Sequence, residues 1–143
     1  MKTVQYILNQ KPEVLYAVTK ESSVYNALEL MMDKNISALL IMDGDQLQGI
    51  FTERDYARKV ILQGKASKTT AMEEVMTGKV ITVSPSEPVE KCMAIMTDKH
   101  IRHLPVEEKG KIVGFISIGD LVRHVIEDQK STIEHLQFIH CAF

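Results

Sequence analysis

Apolar side chains follow two rhythms along this chain. Val24, Ala27, Leu28, Met31 and Met32 fall at the i, i+3, i+4, i+7 spacing of one helix face, and Val89, Cys92, Met93 and Met96 repeat it later. Short β-rich runs, "LYAV" at 15–18 and "VITV" at 80–83, predict a strand before each helix. A hairpin is predicted after each helix. The first pairs "ALLIM" with "LQGIFT" through Asp43-Gly44-Asp45; the second pairs "HLPVE" with "KIVGFIS" through Lys109-Gly110. A further helix begins at Asp55 and another at Asp120. Ser22 and Ser86 stand where N-caps are expected, and Pro88 suits a first helical turn.

These two runs of elements are one unit written twice. Shifted by 65, residues 15–61 fall on 80–126 without a gap: Val18 on Val83, Met31 on Met96, Gly49 on Gly114, Asp55 on Asp120 and Arg58 on Arg123. Each copy reads strand, helix, strand, strand, helix. Three small strands cannot hide an apolar face alone, so the two copies are expected to pack as one α/β module with pseudo-two-fold symmetry. The division expected is 1–65 for the first repeat with an N-terminal helix, 66–130 for the second with a linker helix, and 131–143 for a tail. "TVQYILNQ" and "MEEVMTGK" are the two short helices. The tail is amphipathic through Ile133, Leu136, Phe138 and Ile139.

Composition narrows the class. At 143 residues, with 45% hydrophobic and 25% charged content, the chain is that of a soluble globular protein. A net charge of -2 gives no bulk attraction for nucleic acid or membrane, and neither partner is expected. No run reaches the roughly 18 apolar residues of a membrane helix, and the start has no apolar signal region. Two cysteines, Cys92 and Cys141, without a C-x-x-C pair point to a cytoplasmic setting. Cys92 lies on the core stripe and reads as a small buried hydrophobe, and the methionines read as core. His100 and His103 span a helix end and a strand start, and His135 and His140 are five apart on a helix. No metal site is expected from either pair.

The repeated chemistry is "GIFTERD" at 49–55 and "GFISIGD" at 114–120, both G-x-x-[ST]-x-x-D. A hydroxyl ending a strand and an aspartate opening a helix form parts for gripping a nucleoside phosphate: N–H groups and a hydroxyl for the phosphate, a carboxylate for a ribose diol. Gly49 and Gly114 are expected to let a ligand approach the backbone. The same residues are also ordinary helix-capping chemistry, and spacing alone does not separate the two. Glu53 has Ile118 as its counterpart, and neither a nucleophile–base arrangement nor a phosphate-loop lysine is present, so no enzyme activity is expected.

Residues 3–128, through "EEVMTGKVITVSPSEPVEKCMAIMTDKHIRHLPV" and the two motifs, resemble a tandem pair of CBS domains, the cystathionine-β-synthase regulatory (Bateman) module, in its small stand-alone bacterial form. The resemblance implies two clefts between the repeats that take adenosine compounds, AMP, ADP, ATP or NAD, with no required cofactor. It also implies a homodimer and an unidentified regulated protein. The first cleft would use Thr52, Arg54 and Asp55, with Lys79, Ile81, Ile101, Arg102, His103 and Pro105 from the second copy; His103 would face phosphate. The second would use Ser117, Gly119 and Asp120, with Val14, Tyr16, Ile36, Ser37 and Ala38. Ala38, Leu40 and Gly119 replace His103, Pro105 and Arg54, so the cleft of Asp55 is expected to hold a phosphorylated nucleotide more tightly. The alternative is an interaction or dimerisation module whose clefts are vestigial.

Overall fold

The structure is a computed structural model. It describes residues 2–12 and 14–142, and in the last helix the side chains up to Lys130 with Thr132 and Ile133. In chain order the elements are α1 (Val4–Asn9), β1 (Ala17–Val18), α2 (Val24–Lys34), β2 (Ala38–Asp43), β3 (Gln46–Thr52) and α3 (Glu53–Asp55). A π-wound segment (Tyr56–Ile61) continues α3. Then come α4 (Met72–Val75), α5 (Val89–Lys99), β4 (His103–Glu108), β5 (Lys111–Ser117) and α6 (Ile118–Ala142). The pairs α2/α5, β2/β4 and β3/β5 stand 65 apart at both ends, as the repeat requires.

The symmetry reaches into detail. Asn35 and His100 end α2 and α5 in the left-handed region, with φ of 53° and 55°. Both hairpins carry an irregularity at the same place, between Ile41 and Met42 and between Val106 and Glu107. The tight turns differ. Gly44 alone has positive φ in the first, whereas Lys109 and Gly110 both do in the second, at 52° and 78°, which is the type I′ requirement.

The first sheet has the order β1-β2-β3, with β1 parallel to β2; the second contains only β4 and β5. The predicted "VITV" strand is reduced to a single bridge between Val83 and Val106. The cause is Pro105. Its counterpart Leu40 donates its N–H to the Tyr16 carbonyl at 3.3 Å; proline has no N–H to offer the Ile81 carbonyl, so the ladder stops.

Each repeat builds its own core, and each core borrows a helix. Val24, Ala27, Met31, Leu39, Ile41, Phe51 and Val60 pack with Met72 and Val75 of α4, which precedes the second repeat in the chain. Val89, Cys92, Met96, Leu104, Val106, Ile116 and Leu121 pack with Val4 and Ile7 of α1, which precedes the first. Backbone bonds fix the exchange: Val4 N–H to Glu87 O at 2.9 Å, and Met72 N–H to Ser22 O at 2.8 Å. The expected helices at "TVQYILNQ" and "MEEVMTGK" are thus present, but α1, which precedes the first repeat, closes the core of the second, and the linker helix α4 closes the core of the first.

Three expectations need correction. Ser23, not Ser22, caps α2 by accepting from Asn26 N–H, while Ser22 bonds Thr19; Ser86 pairs with Ser84, and Pro88 itself is the N-cap of α5. Met32 points to solvent, at 81% exposure, whereas Met31 is buried. Gly49 and Gly114 admit protein, not ligand. A Cβ on Gly49 would lie 2.8 Å from Met76 Sδ and from the Thr77 carbonyl, and one on Gly114 would lie 2.5 Å from Leu8. Gly49→Ala is expected to cost about 1–3 kcal/mol, because the Thr77 backbone cannot swing aside. Gly114→Ala should cost less, since only the tip of Leu8 must move. Urea denaturation of both variants ranks them, and a larger loss for Gly114→Ala would contradict the packing. The tail residues Leu136, Phe138 and Ile139, with His135, His140 and Cys141, lie outside the described side chains.

Candidate functional site

The strand β3 delivers Thr52 to the rim of a cleft between the repeats, and α3 begins there. Thr52 and Asp55 form a reciprocal cap: the Asp55 N–H donates to Thr52 Oγ1 at 3.1 Å, and Asp55 Oδ2 accepts from the Thr52 N–H at 3.0 Å and from its hydroxyl at 3.2 Å. Asp55 Oδ1 accepts from Thr77 Oγ1 at 3.1 Å and faces Lys59 Nζ at 3.2 Å. Every lone-pair direction of this carboxylate is therefore used within the chain.

Lys59 stands four residues after Asp55, the usual spacing of an ion pair along one helix face. The helix is π-wound here, and bonds reach five residues, as from the Leu62 N–H to the Ala57 carbonyl and from Lys65 to Val60. Arg58 and Lys59 both line the cleft. In α6 the fourth residue is His124, and the third, Arg123, pairs with Asp120 instead.

The opposite wall comes from the second repeat. Lys79, Val80 and Ile81 form its floor; His100, Ile101, Arg102 and His103, between α5 and β4, form its side. The cavity measures about 1270 Å³. Its lining carries six cationic side chains (Arg54, Arg58, Lys59, Lys79, Lys99 and Arg102) against the two carboxylates Glu53 and Asp55. The chain is weakly acidic overall, so positive charge is concentrated here. Ile50, Ile81, Ile101 and Ile118 add apolar surface.

Polar contacts join the two walls of the cleft. The Arg54 guanidinium donates to the His100 carbonyl at 3.0 Å, and Ser37 Oγ meets His103 Nε2 at 3.2 Å. The His103 ring also lies 5.5 Å from that of Phe115. Burial pushes its imidazole down to about 4, against the opposing pull of Asp120. His103 is therefore neutral near pH 7, and it contributes a hydrogen bond to the cleft.

The structure gathers Thr52, Arg54, Asp55, Lys79, Ile81, Ile101, Arg102 and His103 around this one cavity. Pro105 stands behind them in β4, paired with Phe115. From the second predicted set only Ser37 lines the cavity; Val14, Tyr16, Ile36, Ala38, Ser117, Gly119 and Asp120 do not. Val14 is exposed, Tyr16 and Ile36 pack against the first core, and Ala38 is buried opposite Thr52. Gly119 lies beside Ser117 Oγ and Arg123.

Asp120 is only 5% exposed at its side chain and is enclosed by cations. Lys11 Nζ donates to Oδ2 at 2.8 Å and to the Phe115 carbonyl at 2.6 Å, and Arg123 donates to Oδ1. The Ser117 N–H adds a bond at 2.8 Å. Burial pushes this carboxyl up, but Lys11 and Ser117 together outweigh it and hold it below the usual carboxylate range. Lys11 and Thr77, absent from the sequence reading, both sit just before the stretch that repeats, where the offset of 65 gives no guide. Arg58 stood out in the sequence only as the repeat counterpart of Arg123, and Lys59 not at all. Among the described residues no group of three or more His, Cys, Asp or Glu side chains converges as metal ligands, and no helix is long and apolar enough to cross a membrane. Burial raises the Cys92 thiol to about 11, so it is an unreactive core group at neutral pH.

Known proteins share this fold. The CBS domain family model matches residues 11–61 and 72–127. A CBS-domain protein structure from Burkholderia ambifaria MC40-6 superposes with a TM-score of 0.87 at 55% identity, over 90% of this chain and 96% of that one. The CBS domain pair of protein MJ0100, solved with 5′-methylthioadenosine and S-adenosyl-L-methionine, superposes at 0.79 with 28% identity, over 90% and 98%. The mitochondrial CBS domain-containing protein CBSX3 of Arabidopsis thaliana is 42% identical over 123 residues, 82% of this chain but 60% of that protein's length. With two matched repeats that fold into one cleft-bearing pair, the chain belongs to the CBS-domain family.

Proposed function

We propose that the cleft beside Asp55 binds an adenine nucleotide, AMP, ADP, ATP or NAD, and that the chain is a non-catalytic regulatory sensor in the cytoplasm. The observation that carries this reading is the meeting, in one cavity, of six cationic side chains, a capping carboxylate and an isoleucine wall. The adenosine ligands held by the CBS pair of MJ0100 favour the same class of ligand.

In this reading the purine lies between Ile81 and Ile101. The Ile81 carbonyl, which Pro105 cannot engage, accepts from the purine amino group. The ribose diol displaces Thr77 Oγ1 and Lys59 Nζ from Asp55 Oδ1 and takes their place. Arg54, Arg58, Lys79 and Arg102 surround the phosphates. Ligand sites commonly occupy about 300–1,000 Å³, so this cleft has room for a dinucleotide or for closure around a smaller ligand. Because Arg54 and Ser37 already tie one repeat to the other, a ligand between them shifts relative packing of the repeats. A regulated protein reads that shift, and only a difference in affinity between the two packings can drive it. Exposed Met32, Ile61, Leu62, Val122 and Ile126 supply apolar surface for a homodimer.

A second reading, an interaction module with vestigial clefts, is favoured by one fact: both motif aspartates already have their bonds met within the chain. Titration calorimetry separates the two. AMP is expected to bind at least about tenfold more tightly than adenosine, or 1.4 kcal/mol, and the advantage should shrink as salt rises. The absence of heat with AMP, ATP and NAD alike, at millimolar ligand, would leave the interaction module as the better account.

A further inference from the structure

We infer that Lys11 is a built-in plug that keeps the cleft of Asp120 shut, so that the module takes one nucleotide where its symmetry offers two. This rests on the nucleotide-binding reading above and adds to it the residue that sets how many ligands bind.

The two motif aspartates are equivalent by repeat but not by surroundings. At Asp55 the cation is Lys59, from the same helix, 41% exposed, and the adjoining space is open. At Asp120 the cation arrives from 109 residues away in sequence, on the segment between α1 and β1. Its ammonium holds two groups of the second repeat at once, the Asp120 carboxylate and the Phe115 carbonyl. That segment continues into Val14 and Tyr16, the residues expected to face a purine in this cleft. Lys11 therefore ties the ribose side of the second cleft to its base side. The position that aligns with Lys11 at the repeat offset is Met76, which cannot make such a tie, and the neighbouring Thr77 reaches Asp55 only through a hydroxyl.

Displacing Lys11 costs a ligand more than displacing Thr77 and Lys59. Asp120 has a 5% exposed side chain, and an ion pair broken there leaves a buried charge to be matched again. A neutral ribose diol does not restore the charge balance at so enclosed a carboxylate, whereas at Asp55 the displaced Lys59 is 41% exposed and returns to water. The anionic part of a nucleotide would find no counterpart of Arg54, since Gly119 stands there.

Lys11→Met removes the ammonium while leaving Arg123 to balance Asp120 and keeping a long apolar stem. Calorimetry with AMP is expected to move from about one nucleotide per wild-type chain to about two in Lys11→Met, and back to about one in the double variant Lys11→Met/Asp120→Asn. A Lys11→Gln chain provides the same measurement if the methionine variant does not fold, circular dichroism serving as the check. One nucleotide per chain in wild type and in both folded Lys11 variants overturns the plug and leaves the Asp55 site intact. Two per wild-type chain overturns it as well. No binding to any of these chains instead overturns the nucleotide reading itself.

Discussion

Asp55→Ala is expected to abolish the nucleotide-induced rise in melting temperature and, without nucleotide, to lower stability by about 1–2 kcal/mol. The two losses have separate origins. Without ligand the carboxylate is half of the reciprocal cap with Thr52 and also binds Thr77 of the linker. Removing it frees the Thr52 N–H, unbinds Thr77 and leaves Lys59 without its partner. With ligand, the same oxygens are the acceptors proposed for the ribose diol. At a hundredfold excess over Kd a single site stabilises by about 2.7 kcal/mol, which for a chain of this size corresponds to roughly 5–10 °C. Asp55→Asn separates the roles. Its one carbonyl oxygen still accepts from the Thr52 N–H, so apo stability should stay near wild type, but one neutral acceptor cannot hold both hydroxyls. A full nucleotide-induced shift in Asp55→Ala would reduce this aspartate to a helix cap and remove the ribose contact from the reading.

The capping by Asp55 shows why the motif was legible and its meaning was not. Hydroxyl, two residues, carboxylate is capping chemistry wherever a strand runs into a helix, and here it caps in both copies. What distinguishes the copies comes from residues outside the motif. The repeat offset located both hairpins and the helices α2 and α5, because those features depend on local pattern. It could not reveal that α1 and α4 exchange cores, since each short helix carries an apolar stripe that fits either one. Nor could it reveal that Gly49 and Gly114 make room for Met76 and Leu8, a matter of tertiary approach. Pro105 is the instructive middle case. The residue was in plain view as the counterpart of Leu40, and its missing N–H is sufficient reason for the lost strand beside it. The side chains predicted for the first cleft came together because they lie within the repeated stretch or at its edge. The surroundings of Asp120 differ because Lys11, which lies before that stretch, pairs with it.

Stability is expected to fall by about 2–3 kcal/mol as pH drops from about 6.5 to about 4, with His103 as the main cause. The imidazole titrates at about 4 in the folded chain because burial disfavours its charged form, whereas its ordinary value is 6.5. Between those two values the unfolded chain binds a proton that the native chain refuses. Acidification through that window therefore favours unfolding; above it the stability is fully present, and below it no more is lost from this group. The full difference in pKa would be worth slightly more, and partial contact of the ring with solvent reduces it. Asp120 contributes separately and lower. Its carboxyl is held below the ordinary 3.8, so its share persists above that value and is lost only as pH falls further. His103→Gln keeps a donor and an acceptor near Ser37 and has nothing to titrate. Urea denaturation of both proteins in steps from pH 7 to pH 4 should give a falling line for wild type and a nearly flat one for the variant. Parallel lines would place the acid sensitivity elsewhere and leave His103 at its ordinary value of 6.5. That outcome would also change the expected nucleotide chemistry, because such an imidazole beside Arg102 gains charge as pH falls below 6.5 and would strengthen phosphate binding there, when a neutral one offers only a hydrogen bond.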